Sequence, residues 1–225
     1  MTSLNILKSP MIKTYNYFLG LCFLILVMTQ VHGQEQWELV KEKQGIKVFS
    51  RSNDSLLFKE FKATMQIRAE ISDFLAVIYD VEGLPQWGHN IIESRMLEKP
   101  DPLNQTYYAV AKAPWPYKNR DGVYKNSISW DPSMKALTVA IDMPDDLIEM
   151  NEDFVRMDGY GYWMAREISS DQLEITFQMQ VDPGGAIKAW VANMFVTDSP
   201  YFTMKGLREV IQDKKYKGHS YEFLK

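Results

Sequence analysis

The chain has 225 residues with 25 basic and 29 acidic side chains, so its net charge at neutral pH is −4. This acidic balance disfavours nucleic acid as a partner, because phosphate backbones bind clusters of lysine and arginine. A single cysteine excludes a disulfide within the chain. The absence of an internal repeat or a low-complexity tract from the sequence favours one domain with a full hydrophobic core.

The first 33 residues have the pattern of an export signal. Lys8 and Lys13 precede an apolar run over residues 18–28, and Gly33 offers a small residue for cleavage. The run is about half as long as the roughly 20 apolar residues of a membrane-spanning helix, although an uncleaved anchor is the alternative. We expect residues 1–33 to be removed as a signal peptide, and residues 34–225 to fold as one domain in the periplasm or outside the cell.

Export would also remove the cysteine. Cys22 lies inside the apolar run, and Leu21 before it is not the small residue that a lipid-modified N-terminus requires. Residues 34–225 then hold 23 basic against 29 acidic side chains, a net charge of −6. Disulfides, thiol catalysis and cysteine-based metal sites are therefore all excluded in the mature protein.

The pattern from residue 45 onward predicts antiparallel strands followed by a helix. Strands at 45–51 and 57–68 open the domain, and Ser72 then precedes apolar residues at helical spacing that end before Pro85. The later β-rich segments are separated by turn-forming residues and span 91–97, 106–113, 122–130, 136–143, 154–168 and 173–181. After the turn at 182–185 the spacing predicts a long amphipathic helix, bent or broken at Pro200.

A series of short motifs runs through residues 36–213. In order, they are Trp37-Glu38-Leu39, GIKVFSR at 45–51, FKEFKATMQI at 58–67, YDVEGLPQW at 79–87, KAPWPYKNRDGVY at 112–124, FVRMDGYGYW at 154–163, QVDPGGAIKAWVANM at 180–194 and Leu207-Arg208. The order and spacing of this series resemble the START (StAR-related lipid-transfer) family.

The resemblance implies an α+β domain with the helix-grip (START/Bet v 1-like) fold. In that fold a curved antiparallel β-sheet wraps around a long C-terminal helix and encloses a hydrophobic tunnel. The resemblance also implies one bound lipid or other apolar molecule, and a lid formed by the loop at residues 143–151. An ordinary surface loop is the alternative for this segment.

The candidate lipid-binding side chains combine apolar residues of the lid and the last helix with polar residues that could orient a head group. They are Tyr108, Tyr124, Asn126, Met143, Leu147, Ile148, Met150, Arg156, Trp190, Val191, Met194 and Phe195. Met194 is the first choice on the helix, because its flexible thioether adapts to different ligands. In the alternatives, the helical stripe is plain core, the polar residues satisfy one another, or Arg156 forms a surface ion pair with Glu152 or Asp153.

Other charged residues are interpreted as structural. Arg120 and Asp121 match an Arg-Asp pair of the family, but adjacent strand residues point to opposite faces and cannot both line a tunnel. We expect this pair to fix the Pro-Trp-Pro turn that precedes it. Lys214, Lys215 and Lys217 indicate a solvated C-terminal tail.

The sequence favours binding over catalysis. His89 has no nucleophile set beside it and is interpreted as a turn or surface residue, and His219 lies in the polar tail. No metal-ligand spacing or glycine-rich nucleotide motif occurs in the sequence. We expect no catalytic residue, cofactor or metal, and a monomeric lipid carrier or sensor that contacts membranes transiently. An enzyme of the polyketide cyclase or aromatase type is the alternative, using Tyr108, Tyr124 and Arg156. An interaction protein without a ligand is the third possibility.

Overall fold

The predicted strand segments pair into one sheet, as the computed structural model shows for residues 36–52, 58–188, 191 and 194–225. Residues Trp37–Lys225 form one compact unit. The strands are β1 (Glu38–Lys43), β2 (Ile46–Arg51), β3 (Glu60–Arg68), β4 (Ile91–Asp101), β5 (Asn104–Ala111), β6 (Arg120–Asp131), β7 (Ala136–Met143), β8 (Val155–Arg156), β9 (Asp158–Ser169) and β10 (Gln172–Asp182). The α-helices are α1 (Ile71–Tyr79) and α2 (Ser199–Val210). No helix in the described ranges is long and apolar enough to cross a membrane.

The sheet is curved, and its strand order is β1-β2-β3-β10-β9-β7-β6-β5-β4 with antiparallel neighbours. The short strand β8 lies off this path and pairs in parallel with β6, which places Asp121 opposite Arg156. The predicted strand at 154–168 is therefore two strands. The break falls at Met157, whose backbone N–H donates to the carbonyl of Asp121 at 2.8 Å.

The strand β1 was not predicted. Most of its residues are exposed, so it lacks the alternation of buried and exposed side chains that marks a strand in sequence. It is held by its backbone pairing with β2 at the edge of the sheet.

The first helix begins two residues earlier than predicted. Glu70 rather than Ser72 is its N-cap, and Glu70 and Asp73 form a reciprocal capping box. A 3-10 helix then spans Val81–Gln86 and contains Pro85, so the helical backbone continues past the predicted end. The carboxylate of Asp80 accepts a hydrogen bond from the N–H of Gly83 at 3.0 Å and starts this second segment.

The helix α2 lies across the sheet against β2 and β3, and its buried residues Met204 and Leu207 join the main core. The predicted long helix is divided here: a π-helical segment, Met194–Asp198, leads into α2. Pro200 lies in the first turn of α2, where its missing N–H breaks no helical hydrogen bond, so it begins the helix rather than bending it.

The C-terminal segment is docked rather than solvated, which corrects the prediction for its lysines. Lys217 pairs with Asp73 at 2.8 Å, and Lys215 and the buried Tyr216 bind Asp80 at 2.9 and 2.7 Å. Burial raises the pKa of the Asp80 carboxyl, but the hydrogen bonds from Tyr216 and Lys215 outweigh burial and hold it below its ordinary value of 3.8. The last residues therefore fasten α1 in place.

Candidate functional site

A cavity of about 160 Å³ lies between the sheet and the first turn of α2. Its wall comes from α1, the 3-10 helix after it, the inward faces of the central strands, and the start of α2. Most wall residues are aliphatic or aromatic, among them Leu84, Ile141 and Met179. An apolar cavity of similar volume accommodates a molecule about the size of benzene, so a longer guest requires the wall to move apart.

Stacked aromatic rings line one part of the cavity. Trp163 and Phe177 are directly opposite on β9 and β10, and their rings stack with centroids 3.8 Å apart. Trp87, at the end of the 3-10 helix, meets Trp163 edge-on at 6.0 Å. The backbone of Trp87 in turn touches α2 at Gly206, where an added Cβ would lie 2.3 Å from the Trp87 carbonyl oxygen. The aromatic wall and the helix are therefore in close contact.

A second part of the wall is polar. Tyr107 on β5 is paired with Tyr124 on β6, and their rings stack 4.9 Å apart. Burial raises the pKa of both tyrosines, so both hydroxyls stay protonated at neutral pH. Asn126 follows two residues after Tyr124 and points to the same face of β6. Its Oδ1 is buried without a hydrogen-bond partner in the described structure, as is the Nε1 of Trp87.

Of the Asp, Glu, Lys, Arg and His side chains, Lys59, Asp80 and His89 contribute to the described wall. Lys59 is exposed and also borders an outer groove. The Asp80 carboxylate is already bonded to the C-terminal segment. Burial lowers the pKa of His89 below 6.5, more than the nearby Asp198 raises it, so its imidazole is neutral at neutral pH. The charged groups of the described wall are therefore either paired, as Asp80 is with Lys215, or exposed, as Lys59 is.

The predicted binding residues lie in different parts of the structure. Tyr124, Asn126, Met143 and Phe195 line the cavity. Val191 is fully buried, and Met194, the first choice on the helix, borders the outer groove instead. Trp190 lies outside the described residues.

The remaining candidates lie on or beyond the other face of the sheet. Because Tyr107 and Ala111 face the cavity, strand alternation turns Tyr108 away from it. Tyr108 packs there with Val110 and Val123, and Ile148 covers this small cluster.

Arg156 is also in this outer layer, in a buried ion pair with Asp121 rather than a surface pair with Glu152 or Asp153. Its Nε and Nη2 donate to the two carboxylate oxygens of Asp121 at 3.0 and 2.9 Å, and the side chains are only 5% and 2% exposed. The Tyr108 hydroxyl donates to the same carboxylate at 3.2 Å. Burial, followed by the Asp121 charge, raises the pKa of Tyr108 to about 12.

Arg120 does not pair with Asp121. It donates instead to the carbonyls of Lys118 and Pro183, so it fixes the turn before β6 as expected but without the partner that we assigned to it.

The predicted lid loop is anchored to the same outer cluster. The Nη1 of Arg156 donates to the carbonyls of Asp145 and Ile148 at 3.0 and 3.4 Å. Leu147 and Met150 are 52% and 68% exposed. In this structure the loop packs through Ile148 on the outer face of the sheet, and Leu147 and Met150 face solvent.

Trp87, Tyr107, Trp163 and Phe177 were missed as wall residues. For Tyr107 the signal in the sequence was strand pairing, because the residue directly opposite the inward-facing Tyr124 also faces inward.

The comparisons with known proteins agree with the fold. No protein-family model matches the chain. An uncharacterized protein of Pseudomonas aeruginosa is 28% identical over 180 residues, which cover 80% of this chain and 89% of the relative. The phosphatidylcholine transfer protein of Bos taurus is 24% identical over 184 residues, covering 80% and 85%. The crystal structure of a STAR-related lipid transfer protein from Xanthomonas axonopodis is 31% identical, with a TM-score of 0.72 and coverage of 79% of this chain and 99% of that one. The chain therefore belongs to the StAR-related lipid-transfer (START) family, and the predicted helix-grip fold is confirmed.

Proposed function

We propose that this protein carries or senses a lipid or another apolar small molecule, which it binds in the cavity between the sheet and α2 and releases unchanged. The observation that carries this proposal is the mostly aliphatic and aromatic wall of that cavity. Moving apolar surface out of water is worth roughly 25 cal/mol per Å², so such a wall favours a hydrocarbon guest.

The position of the polar residues supports binding without chemistry. The cyclase alternative relied on Tyr108, Tyr124 and Arg156, and two of these lie behind the sheet. Tyr124 remains in the wall, with a raised pKa that makes its hydroxyl a poor general base at neutral pH. We infer that the protein is a binding protein rather than an enzyme.

A carrier also has to meet a membrane, and Trp115 is suited to that contact. It is 91% exposed on the Pro-Trp-Pro turn, four residues after Ala111 of the cavity wall. Lys112 and Lys118 flank it in the sequence. Tryptophan favours the membrane–water interface, and we propose that this turn inserts there. Export after cleavage at Gly33 would place the contact at an extracytoplasmic membrane.

The test uses the full chain expressed in an exporting bacterial host and analysed by native mass spectrometry with lipid extraction. We expect an N-terminus at Gln34 and a stoichiometric lipid of unaltered structure. Ala111→Phe places a ring in the cavity and should abolish the adduct, whereas Ala140→Phe, at an exposed position on β7, should keep it. A protein without an adduct, even after exposure to mixed membrane lipids, contradicts carriage. A chemically altered ligand favours the enzyme.

A further inference from the structure

Two polar atoms in the cavity wall are buried without a partner. The Oδ1 of Asn126 and the Nε1 of Trp87 make no hydrogen bond to any described residue, although their residues are only 3% and 6% exposed. Folded proteins pair nearly all such atoms, because an unpaired buried polar group costs stability. Both atoms belong to residues that border the space in which a guest would lie.

Further hydrogen-bonding groups lie beside Asn126. Tyr107 and Tyr124 carry hydroxyls, and both residues line the cavity next to Asn126 on neighbouring strands. Together the amide, the two hydroxyls and the indole N–H of Trp87 offer both donors and acceptors. A guest could satisfy groups that the protein leaves unsatisfied.

No counter-charge accompanies these groups. Among the described wall residues, the Asp80 carboxylate is neutralised by Lys215 at 2.9 Å, and Lys59 is exposed at the edge that it shares with the outer groove. A phosphate, a carboxylate or an ammonium placed beside Asn126 would lose its hydration without gaining an ion pair, which is costly.

Building on the proposed function, we infer that the cavity selects amphiphiles whose buried polar end is uncharged and both donates and accepts hydrogen bonds, such as a hydroxyl. Asn126 recognises that end beside Tyr107 and Tyr124, the indole N–H of Trp87 offers a further donor in the wall, and the surrounding aromatic and aliphatic residues receive the hydrocarbon. Charged phospholipids and fatty acid anions are excluded from this polar subsite.

The test compares probes with the same ten-carbon chain and different head groups: 1-decanol, decyl phosphocholine and decyl sulfate. Titration calorimetry, run below the solubility limit of 1-decanol and below the micelle concentrations of the other two probes, should show 1-decanol binding at least about tenfold more tightly than either charged probe. Asn126→Leu keeps a similar side-chain volume and should weaken 1-decanol binding about tenfold. Trp87→Phe removes the indole N–H and should also weaken it. Ser129→Leu, exposed on the other face of β6, should leave the affinity unchanged.

The stability of the ligand-free variants separates a lost contact from a lost fold. Asn126→Leu removes an unpaired buried amide oxygen, so the melting temperature of the variant should rise while its affinity for 1-decanol falls. Equal binding of the three probes, or unchanged 1-decanol affinity in both cavity variants, overturns the head-group inference and leaves lipid carriage intact. Failure of the wild-type protein to bind any of the three probes refutes the proposed function itself.

Discussion

Removing the positive partner of the buried ion pair should strongly destabilise the fold. In Arg156→Met the Asp121 carboxylate stays buried and loses two hydrogen bonds, those to Nε and Nη2. Breaking a buried pair in this way costs about 3–5 kcal/mol. The exposed pair of Arg68 and Asp171 is the matched control, with side chains 81% and 62% exposed, and Arg68→Met should cost less than about 1 kcal/mol.

Urea unfolding followed by circular dichroism measures the unfolding free energies of both variants, because at an unchanged slope the shift of the urea midpoint reports the change in stability. The double variant Arg156→Met with Asp121→Leu removes the stranded charge and should recover much of the loss, because an apolar pair often replaces a buried ion pair at little cost. Limited proteolysis should cut the loop at 144–150 faster in Arg156→Met, since that variant also loses the bonds to the loop carbonyls. A loss below about 1 kcal/mol would refute the argument from burial.

Three further predictions concern the helix α2, the C-terminal segment and the membrane contact. Gly206→Ala should lower the unfolding free energy by about 1–3 kcal/mol, because the added methyl group clashes with Trp87. At an exposed helical site the same substitution stabilises a helix, so a stabilised variant would contradict this packing. Asp80→Asn should lower the unfolding free energy by about 1–2 kcal/mol at neutral pH. Because the folded-state pKa of Asp80 is lowered, this deficit should persist above pH 3.8 and vanish as the pH falls through the lowered pKa. Urea unfolding at several pH values measures it, and a deficit that does not change at acid pH would argue against the charge assigned to Asp80. Trp115→Ser should reduce the fraction of protein that sediments with lipid vesicles, while changing the unfolding free energy by less than about 0.5 kcal/mol. An unchanged fraction would show that this turn does not make the membrane contact.

Local patterns predicted most of the sheet because alternation was visible where one face is buried and the other exposed. The strand β7 is an example, and its predicted bounds, Ala136–Met143, agree with the structure. The strand β5 was harder, since its C-terminal half is buried on both faces. Without polar positions to mark the outer face, periodicity did not determine whether Tyr107 or Tyr108 faces the cavity.

The errors in the site came from contacts between distant segments. The pairing of Asp121 with Arg156 depends on a two-residue parallel strand, which has no periodic signature. The contact of Lys217 with Asp73 joins residues 144 positions apart. In both cases a charged side chain that looks solvated in the sequence finds its partner only after the chain has folded. The unpaired state of Asn126 likewise depends on its neighbours from other strands.

The strand order ends at β1 and β4, and α2 rather than another strand covers the concave face. The described hydrogen bonds that join α2 to the sheet are made by side chains, as in the bonds of Tyr201 and Arg208 to Gln44. A closed barrel has a diameter fixed by its backbone ladder, whereas displacing α2 would widen the cavity here while the interstrand bonds persist. We therefore expect the capacity of the cavity to depend on how far α2 can move, at the expense of its bonds to Gln44 and its contact with Trp87.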